Sequence, residues 1–126
     1  RSPYHSKAKA LRDKAVRGEI AACVSSTVLT EFYAVVTDTK RVANPLSPLQ
    51  ALKEIEAYQR TLQVLYPTAI AMGKLKDLIE KYQVKGQDIF DAFIVATMLE
   101  HGVDGVYTAN RKHFERFKEI QVETPL

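Results

Sequence analysis

The sequence predicts a single α/β domain, spanning residues 1–126, with a mainly parallel central sheet. The first observation that supports this fold class is that short apolar runs bounded by turn residues alternate with longer segments of helical periodicity. This alternation is typical of strand–helix–strand units. The second observation is the length of 126 residues, which is enough for one domain with a real core and too short for two comfortable domains.

Glycine, serine and proline residues mark the boundaries of the helices and strands in the first half of the chain. Gly18 ends the first predicted helix, and a short apolar strand follows it. Ser25 or Ser26 can cap the second helix, whose apolar side chains keep an i, i+3, i+4, i+7 spacing. Ser47 is expected to cap the third helix, with Pro48 in its first position.

The second half repeats the pattern. The segment 61–67 alternates apolar and polar residues as a strand does, and Thr68 begins the fourth helix. Gly86 is a turn before the fifth helix, and Gly102 closes that helix. The predicted helices are 3–17, 27–39, 48–59, 69–84, 88–101 and 111–117, and the predicted strands are 19–26, 61–67, 103–110 and 120–125.

Composition excludes several classes of protein. Cys23 is the only cysteine, so an internal disulfide framework is excluded, and a reducing cytoplasm suits the chain. The sequence has no apolar stretch long enough to span a bilayer and no N-terminal secretion signal. The net charge of +3 is compatible with a polyanionic partner but does not by itself indicate one. We therefore expect a cytoplasmic protein with no membrane partner.

Two aspartates stand at the head of the most apolar segment, QDIFDAFIVA (87–96). Neither has a Lys or Arg three or four positions further on, so no local ion pair explains them. Asp88 is adequately explained as a helix-start residue. Asp91 lies one turn deeper, where a local hydrogen bond or a functional site explains it equally well.

Glu31 raises the same question on the second helix, where a solvated surface position is the simpler explanation. Carboxylates on two apolar helices can nevertheless converge at the carboxyl edge of a parallel sheet, where such folds bind ligands. Neighbouring carboxylates repel one another unless a cation neutralises them, and Mg²⁺ or Mn²⁺ prefers oxygen ligands. Glu31 and Asp91 are therefore candidate metal ligands.

Three segments, SSTVLTEFYAVVT, KGQDIFDAFIVATMLEHGVDGVYTANRKHFERF and IQVETP, together resemble the PIN domain, in particular its toxin-type branch of bacterial and archaeal toxin–antitoxin systems. The resemblance covers essentially the whole chain. It implies a three-layer α/β/α fold and a metal-dependent endoribonuclease that cleaves RNA with metal-activated water. It also implies a cognate antitoxin partner and a homodimer.

Carried over by position, the resemblance makes Glu31 and Asp91 catalytic metal ligands that hold Mg²⁺ or Mn²⁺. Asn110 falls where relatives have a further acidic residue, so it would offer a carbonyl oxygen and no charge. The residues expected to support the site or to contact phosphate are Asp88, Thr108, Arg111 and His113. A basic cluster, made of Arg111, Lys112, Arg116 and Lys118, is expected either to be solvated surface or to grip an RNA backbone.

One departure from the family pattern affects the functional expectation. The family's first aspartate lies on an N-terminal strand that would precede RSPYH, and we expect that strand to be missing from this chain. The alternative to a ribonuclease is then a truncated or degenerate PIN-like domain that acts as a non-catalytic protein-binding module.

Overall fold

The computed structural model describes residues 23–107 and 111–123. Within these ranges helices and strands alternate as predicted. The elements are β1 (Cys23–Ser25), α1 (Ser26–Val36), α2 (Pro48–Thr61), β2 (Gln63–Leu65), α3 (Ala69–Tyr82), α4 (Asp88–Glu100), β3 (Gly105–Tyr107), α5 (Arg111–Phe114) and β4 (Gln121–Glu123). The predicted helix over 3–17 lies outside the described residues.

Hydroxyl side chains start three of the helices. The Ser25 hydroxyl, rather than that of Ser26, accepts a hydrogen bond from the Val28 N–H and caps α1. Ser47 caps α2 through a reciprocal capping box, since Gln50 donates its backbone N–H to Ser47 and accepts from the Ser47 N–H through its side chain. Each cap satisfies backbone donors that a helix start leaves without partners. The predicted starts of α1 and α2 are therefore confirmed.

Three helices, α1, α3 and α5, end two or three residues earlier than the sequence predicts, and α5 ends at Phe114. Helix α1 ends at Val36 because the backbone turns at Asp38, whose carboxylate accepts the Lys40 N–H. Helix α3 ends at Tyr82 because Gln83 adopts the left-handed conformation, with φ of 53°. These turns are local side-chain and backbone effects that apolar periodicity does not detect.

The four strands form two parallel pairs. Strand β1 pairs with β2, with Val24 opposite Val64, and β3 pairs with β4, with Val106 opposite Val122. The prediction of parallel strands is confirmed. A single sheet joining both pairs is not seen in the part of the chain that the structure describes.

Helix α4 is the centre of the core, as predicted from its apolar composition. It packs along α3 more extensively than any other two elements pack. Its buried residues are Ala92, Ile94, Val95, Ala96, Thr97 and Met98. The Thr97 hydroxyl is satisfied within the helix, because it donates to the Phe93 carbonyl at 2.9 Å. Phe90 differs from the prediction: it lies on the first turn, before the helix is covered, and is 51% exposed.

No helix within 23–107 or 111–123 combines the length and apolar character needed to cross a membrane.

Candidate metal centre

Glu31 and Asp91 come from different helices. Glu31 is on the second turn of α1, which begins directly after β1, and Asp91 is on the first turn of α4. Strand β1 also contacts α4, so the elements that carry the two residues are linked through β1. The two carboxyl groups interact electrostatically, because partial burial raises the pKa of Glu31 and the negative charge of Asp91 raises it further. Asp91 thus lies near enough for its charge to act on the Glu31 carboxyl.

Glu31 is exposed to solvent, which agrees with the simpler explanation of its position on an apolar helix. Only Leu29 is fully buried on α1, while Glu31 and Val28 are exposed. An apolar helix sequence therefore does not place Glu31 in the core, and its carboxyl group is accessible to a ligand.

Asp91 is the more buried member of the pair, with 21% of its side chain exposed. Burial raises the pKa of this carboxyl, and the charge of Asp88 raises it further, whereas the charge and hydrogen bond of His113 act in the opposite direction. The balance leaves the Asp91 pKa above its ordinary value. Desolvation and like charge thus disfavour the ionised carboxylate, and a bound cation would relieve both effects.

Both aspartates of α4 have partners in the segment 111–117, a feature that sequence reasoning missed. The His113 Nδ1 atom lies 3.1 Å from the Asp91 Oδ2 atom. Arg116 donates from Nη1 to the Asp88 Oδ2 atom at 3.2 Å. Asp88 is the first residue of α4, as expected of a helix-start residue, but its carboxylate pairs with a guanidinium and the helix start has no side-chain cap. We call these two contacts the aspartate clasp.

Part of the basic cluster has structural contacts. Arg116 also donates to the Tyr82 carbonyl at 2.6 Å, and Arg111 donates to the Val122 carbonyl at 2.9 Å. Arg111 further pairs with Glu115 at 3.6 Å, and no contact joins it to Asp91 among the described side chains. These two arginines thus hold the segment 111–117 against α3 and β4.

Two of the predicted site residues, Thr108 and Asn110, lie outside the described residues. Among the residues that are described, no group of three or more His, Cys, Asp or Glu side chains is arranged to hold a metal. The predicted ligands that the structure describes are the two carboxylates of Glu31 and Asp91. They suit Mg²⁺ or Mn²⁺ chemically, because such hard cations take one or two carboxylates and keep water in their other positions.

The raised pKa values of Glu31 and Asp91 predict how stability depends on pH. An acid with a raised pKa in the folded state keeps its proton longer than in the unfolded state. Folding stability from these groups is therefore greatest below their unfolded pKa of about 4 and falls as pH rises through the folded values. We expect the Asp91→Asn variant to gain stability relative to the unmodified protein as pH increases from about 4 to 7.

Chemical denaturation at several pH values measures this difference. Asp77→Asn is the matched control, because it removes the same charge at an exposed position on α3. A difference between the Asp91→Asn variant and the unmodified protein that is constant with pH, or that shrinks as pH rises, would contradict the assigned electrostatics.

The chain matches a known protein family and is similar to known proteins in sequence and in fold. The family model described as PIN domain matches residues 1–120. Ribonuclease VapC48 of Mycobacterium tuberculosis is 26% identical over 131 residues, and Ribonuclease VapC24 of the same organism is 29% identical over 126 residues. Both alignments cover 98% of this chain and 86% of the relative.

Two solved structures share the fold. VapBC2 from Rickettsia felis, bound to a DNA fragment from its promoter, matches with a TM-score of 0.65 and 19% identity, covering 92% of this chain and 82% of that chain. DNA-bound VapBC from Salmonella typhimurium matches with a TM-score of 0.57 and 28% identity, covering 81% and 74% respectively. The predicted α/β class, with parallel strands, agrees with both.

Proposed function

Because this chain belongs to the PIN domain family, we propose that it is a metal-dependent endoribonuclease and the toxin of a toxin–antitoxin pair. The substrate is RNA, and the reaction is hydrolysis of a phosphodiester bond. The observation that carries the proposal is the match to the PIN domain over residues 1–120, and the effect of the Asp91 charge on Glu31, which lies on a separate helix, agrees with it. Similarity to two VapC ribonucleases over nearly the whole chain supports the same reaction class.

Glu31 and Asp91 would hold the cation, with Asn110 as an additional neutral oxygen ligand on the basis of the family resemblance. When bound, Mg²⁺ or Mn²⁺ supplies positive charge opposite the phosphodiester and makes water a better nucleophile. The protein's own contribution is to hold two carboxylates near enough for the charge of Asp91 to act on Glu31. That arrangement disfavours their ionised forms and so strengthens the demand for a counter-charge.

Cationic side chains beside this site suit an RNA backbone. Lys112 and Arg111 are exposed on α5, the element that also carries His113. We propose that they contact phosphates, which would make RNA affinity fall as salt concentration rises. Lys112 is the stronger candidate for this role, because Arg111 is already paired with Glu115 and the Val122 carbonyl. Arg116 is likewise paired with Asp88 and the Tyr82 carbonyl.

Exposed apolar side chains support protein partners. Leu49 and Leu52 are 63% and 48% exposed and lie one turn apart on the same face of α2. Exposed leucines grouped on a helix are typical of protein-binding surfaces. We propose that the partners are a cognate antitoxin, in keeping with the VapBC structures that share this fold, and a second copy of the chain.

An RNA cleavage assay tests the proposal. We expect the purified full-length protein, free of antitoxin, to cut bacterial RNA when Mn²⁺ or Mg²⁺ is added and to stop when EDTA is present. Comparing the two metals in separate reactions identifies the better cofactor. Gel analysis of product ends distinguishes internal cleavage from trimming at the termini.

The alternative function has its own outcome. A protein that folds, binds its antitoxin and cuts no RNA with either metal would contradict the nuclease and favour the non-catalytic binding module. A matched reaction with the Glu31→Gln variant controls for contaminating ribonucleases, because contaminants would still cleave.

A further inference from the structure

We infer that His113 is a positioning residue for Asp91, fixing the orientation of that carboxylate through a hydrogen bond from its Nδ1–H group. This inference rests on the proposed function, because it concerns the way the chain prepares a metal ligand. His113 is not itself assigned as a ligand. The imidazole acts through Asp91 by holding its Oδ2 atom.

The chemistry of the two groups fixes the direction of the hydrogen bond. An ionised carboxylate has only acceptor atoms, so the nitrogen that lies 3.1 Å from the Asp91 Oδ2 atom must be the donor. His113 therefore carries a proton on Nδ1. In the neutral ring, Nε2 is then an acceptor and has no proton to donate to an RNA phosphate.

The chain segment that carries His113 is anchored independently of Asp91. The neighbouring Phe114 is buried in the core, and Phe117, one turn further on, is 1% exposed. Arg111 bonds the Val122 carbonyl on one side of His113, and Arg116 bonds Asp88 on the other. Since the segment is anchored on both sides, His113 can constrain Asp91 rather than simply follow it.

The need for such a constraint comes from the charges around Asp91. Glu31 and Asp88 both carry negative charge close enough to interact with the Asp91 carboxylate. Repulsion of this kind would favour rotation of the side chain away from Glu31 and would separate the two ligands. A hydrogen bond to one carboxylate oxygen opposes that rotation without adding a competing ligand.

Exposure separates this role from a structural one. The His113 side chain is 59% exposed, so its pairing with Asp91 should add little to folding stability. Outer partners of metal ligands, by contrast, typically change metal affinity by about 10–100-fold when they are removed. We therefore expect substitutions of His113 to alter metal affinity much more than stability.

Three variants of His113 distinguish which of its two ring nitrogens acts on Asp91. His113→Asn keeps an N–H donor near the position of Nδ1, and His113→Gln carries its amide near the position of Nε2. His113→Ala has neither. The measurement is the dissociation constant for Mn²⁺ alone, determined by calorimetry without RNA, together with the melting temperature of each metal-free variant.

We expect the Ala and Gln variants to bind Mn²⁺ about 10–100-fold more weakly than the unmodified protein, and the Asn variant to retain most of the affinity. Melting temperatures should stay close to one another. In the metal-free unmodified protein at alkaline pH, ¹⁵N NMR should find the His113 ring protonated on Nδ1.

Other results would overturn the inference. Unchanged Mn²⁺ affinity in the Ala variant, or a ring protonated only on Nε2, excludes positioning through Nδ1. Rescue of Mn²⁺ affinity by Gln and not by Asn would assign the role to Nε2 and would overturn positioning through Nδ1. A protein that neither binds Mn²⁺ nor cleaves RNA before any substitution contradicts the proposed function, and the inference fails with it. If the unmodified protein binds Mn²⁺ and cleaves RNA, and the His113→Ala variant has the same Mn²⁺ affinity, the inference about His113 is contradicted and the proposed function is not.

Discussion

The Asp91→Asn variant is expected to lose Mn²⁺-dependent RNA cleavage while remaining folded. Asparagine keeps the size of the side chain and one oxygen but removes the charge that attracts the cation. Because removal of a ligand exceeds the ~10–100-fold effect typical of removing a ligand's outer partner, we expect cleavage to fall by more than about 100-fold. Stability at neutral pH should be unchanged or higher, since burial and like charge raise the pKa of the Asp91 carboxyl and disfavour its ionised form.

Cleavage rate, Mn²⁺ affinity and denaturant unfolding should be measured on the same preparations. The Asp77→Asn variant is again the matched control, and it should keep both cleavage and metal affinity. If Asp91→Asn instead unfolds the protein, Asp91 is a structural residue. If the folded variant still cleaves at the original rate, Asp91 is not a metal ligand.

Replacing Phe117 with Ala is expected to cause the largest loss of stability. The side chain is 1% exposed, and its ring packs edge-on against Tyr82 with 5.2 Å between the centroids. Truncating a fully buried phenylalanine removes its burial and leaves a cavity, so we expect unfolding free energy to fall by about 3–5 kcal/mol. The change should be measured by urea denaturation monitored by circular dichroism.

Phe90→Ala provides the control for this substitution. The same atoms are removed from a side chain that is 51% exposed, so the expected loss is about 1 kcal/mol. Equal losses in the two variants would contradict the location of the core. The Phe117→Ala variant should also weaken Mn²⁺ binding under native conditions, because Phe117 anchors the segment that carries His113.

Most of the fold could be predicted because its signals are local. Ser25, Ser47 and Thr68 each cap the helix that begins at the following residue, so a hydroxyl before an apolar period is sufficient information. The predicted helix ends were less accurate than the predicted starts, because apolar periodicity does not indicate the left-handed backbone at Gln83. Pairing of strands depends on contacts far apart along the chain, so parallel pairing could be predicted and the division into two pairs could not.

The candidate site could be predicted only in part. Convergence of Glu31 and Asp91 follows from a general rule about the edges of parallel sheets. The partners of Asp88 and Asp91 could not be found by a search limited to neighbouring helical turns, because they come from a segment beyond β3. The exposure of Glu31 agrees with the solvated surface position that was the simpler explanation of this residue.

The aspartate clasp limits where the chain of this domain can gain or lose residues. Asp88 and Asp91 are one helical turn apart, and their partners Arg116 and His113 follow in the reverse order with the same separation. The two chain segments therefore match each other by spacing alone, whatever connects them. Insertions in the turn at 101–104 would leave the match intact, whereas one extra residue between His113 and Arg116 would break it. Length variation among related chains should therefore concentrate in that turn, and the interval 113–116 should keep a constant length.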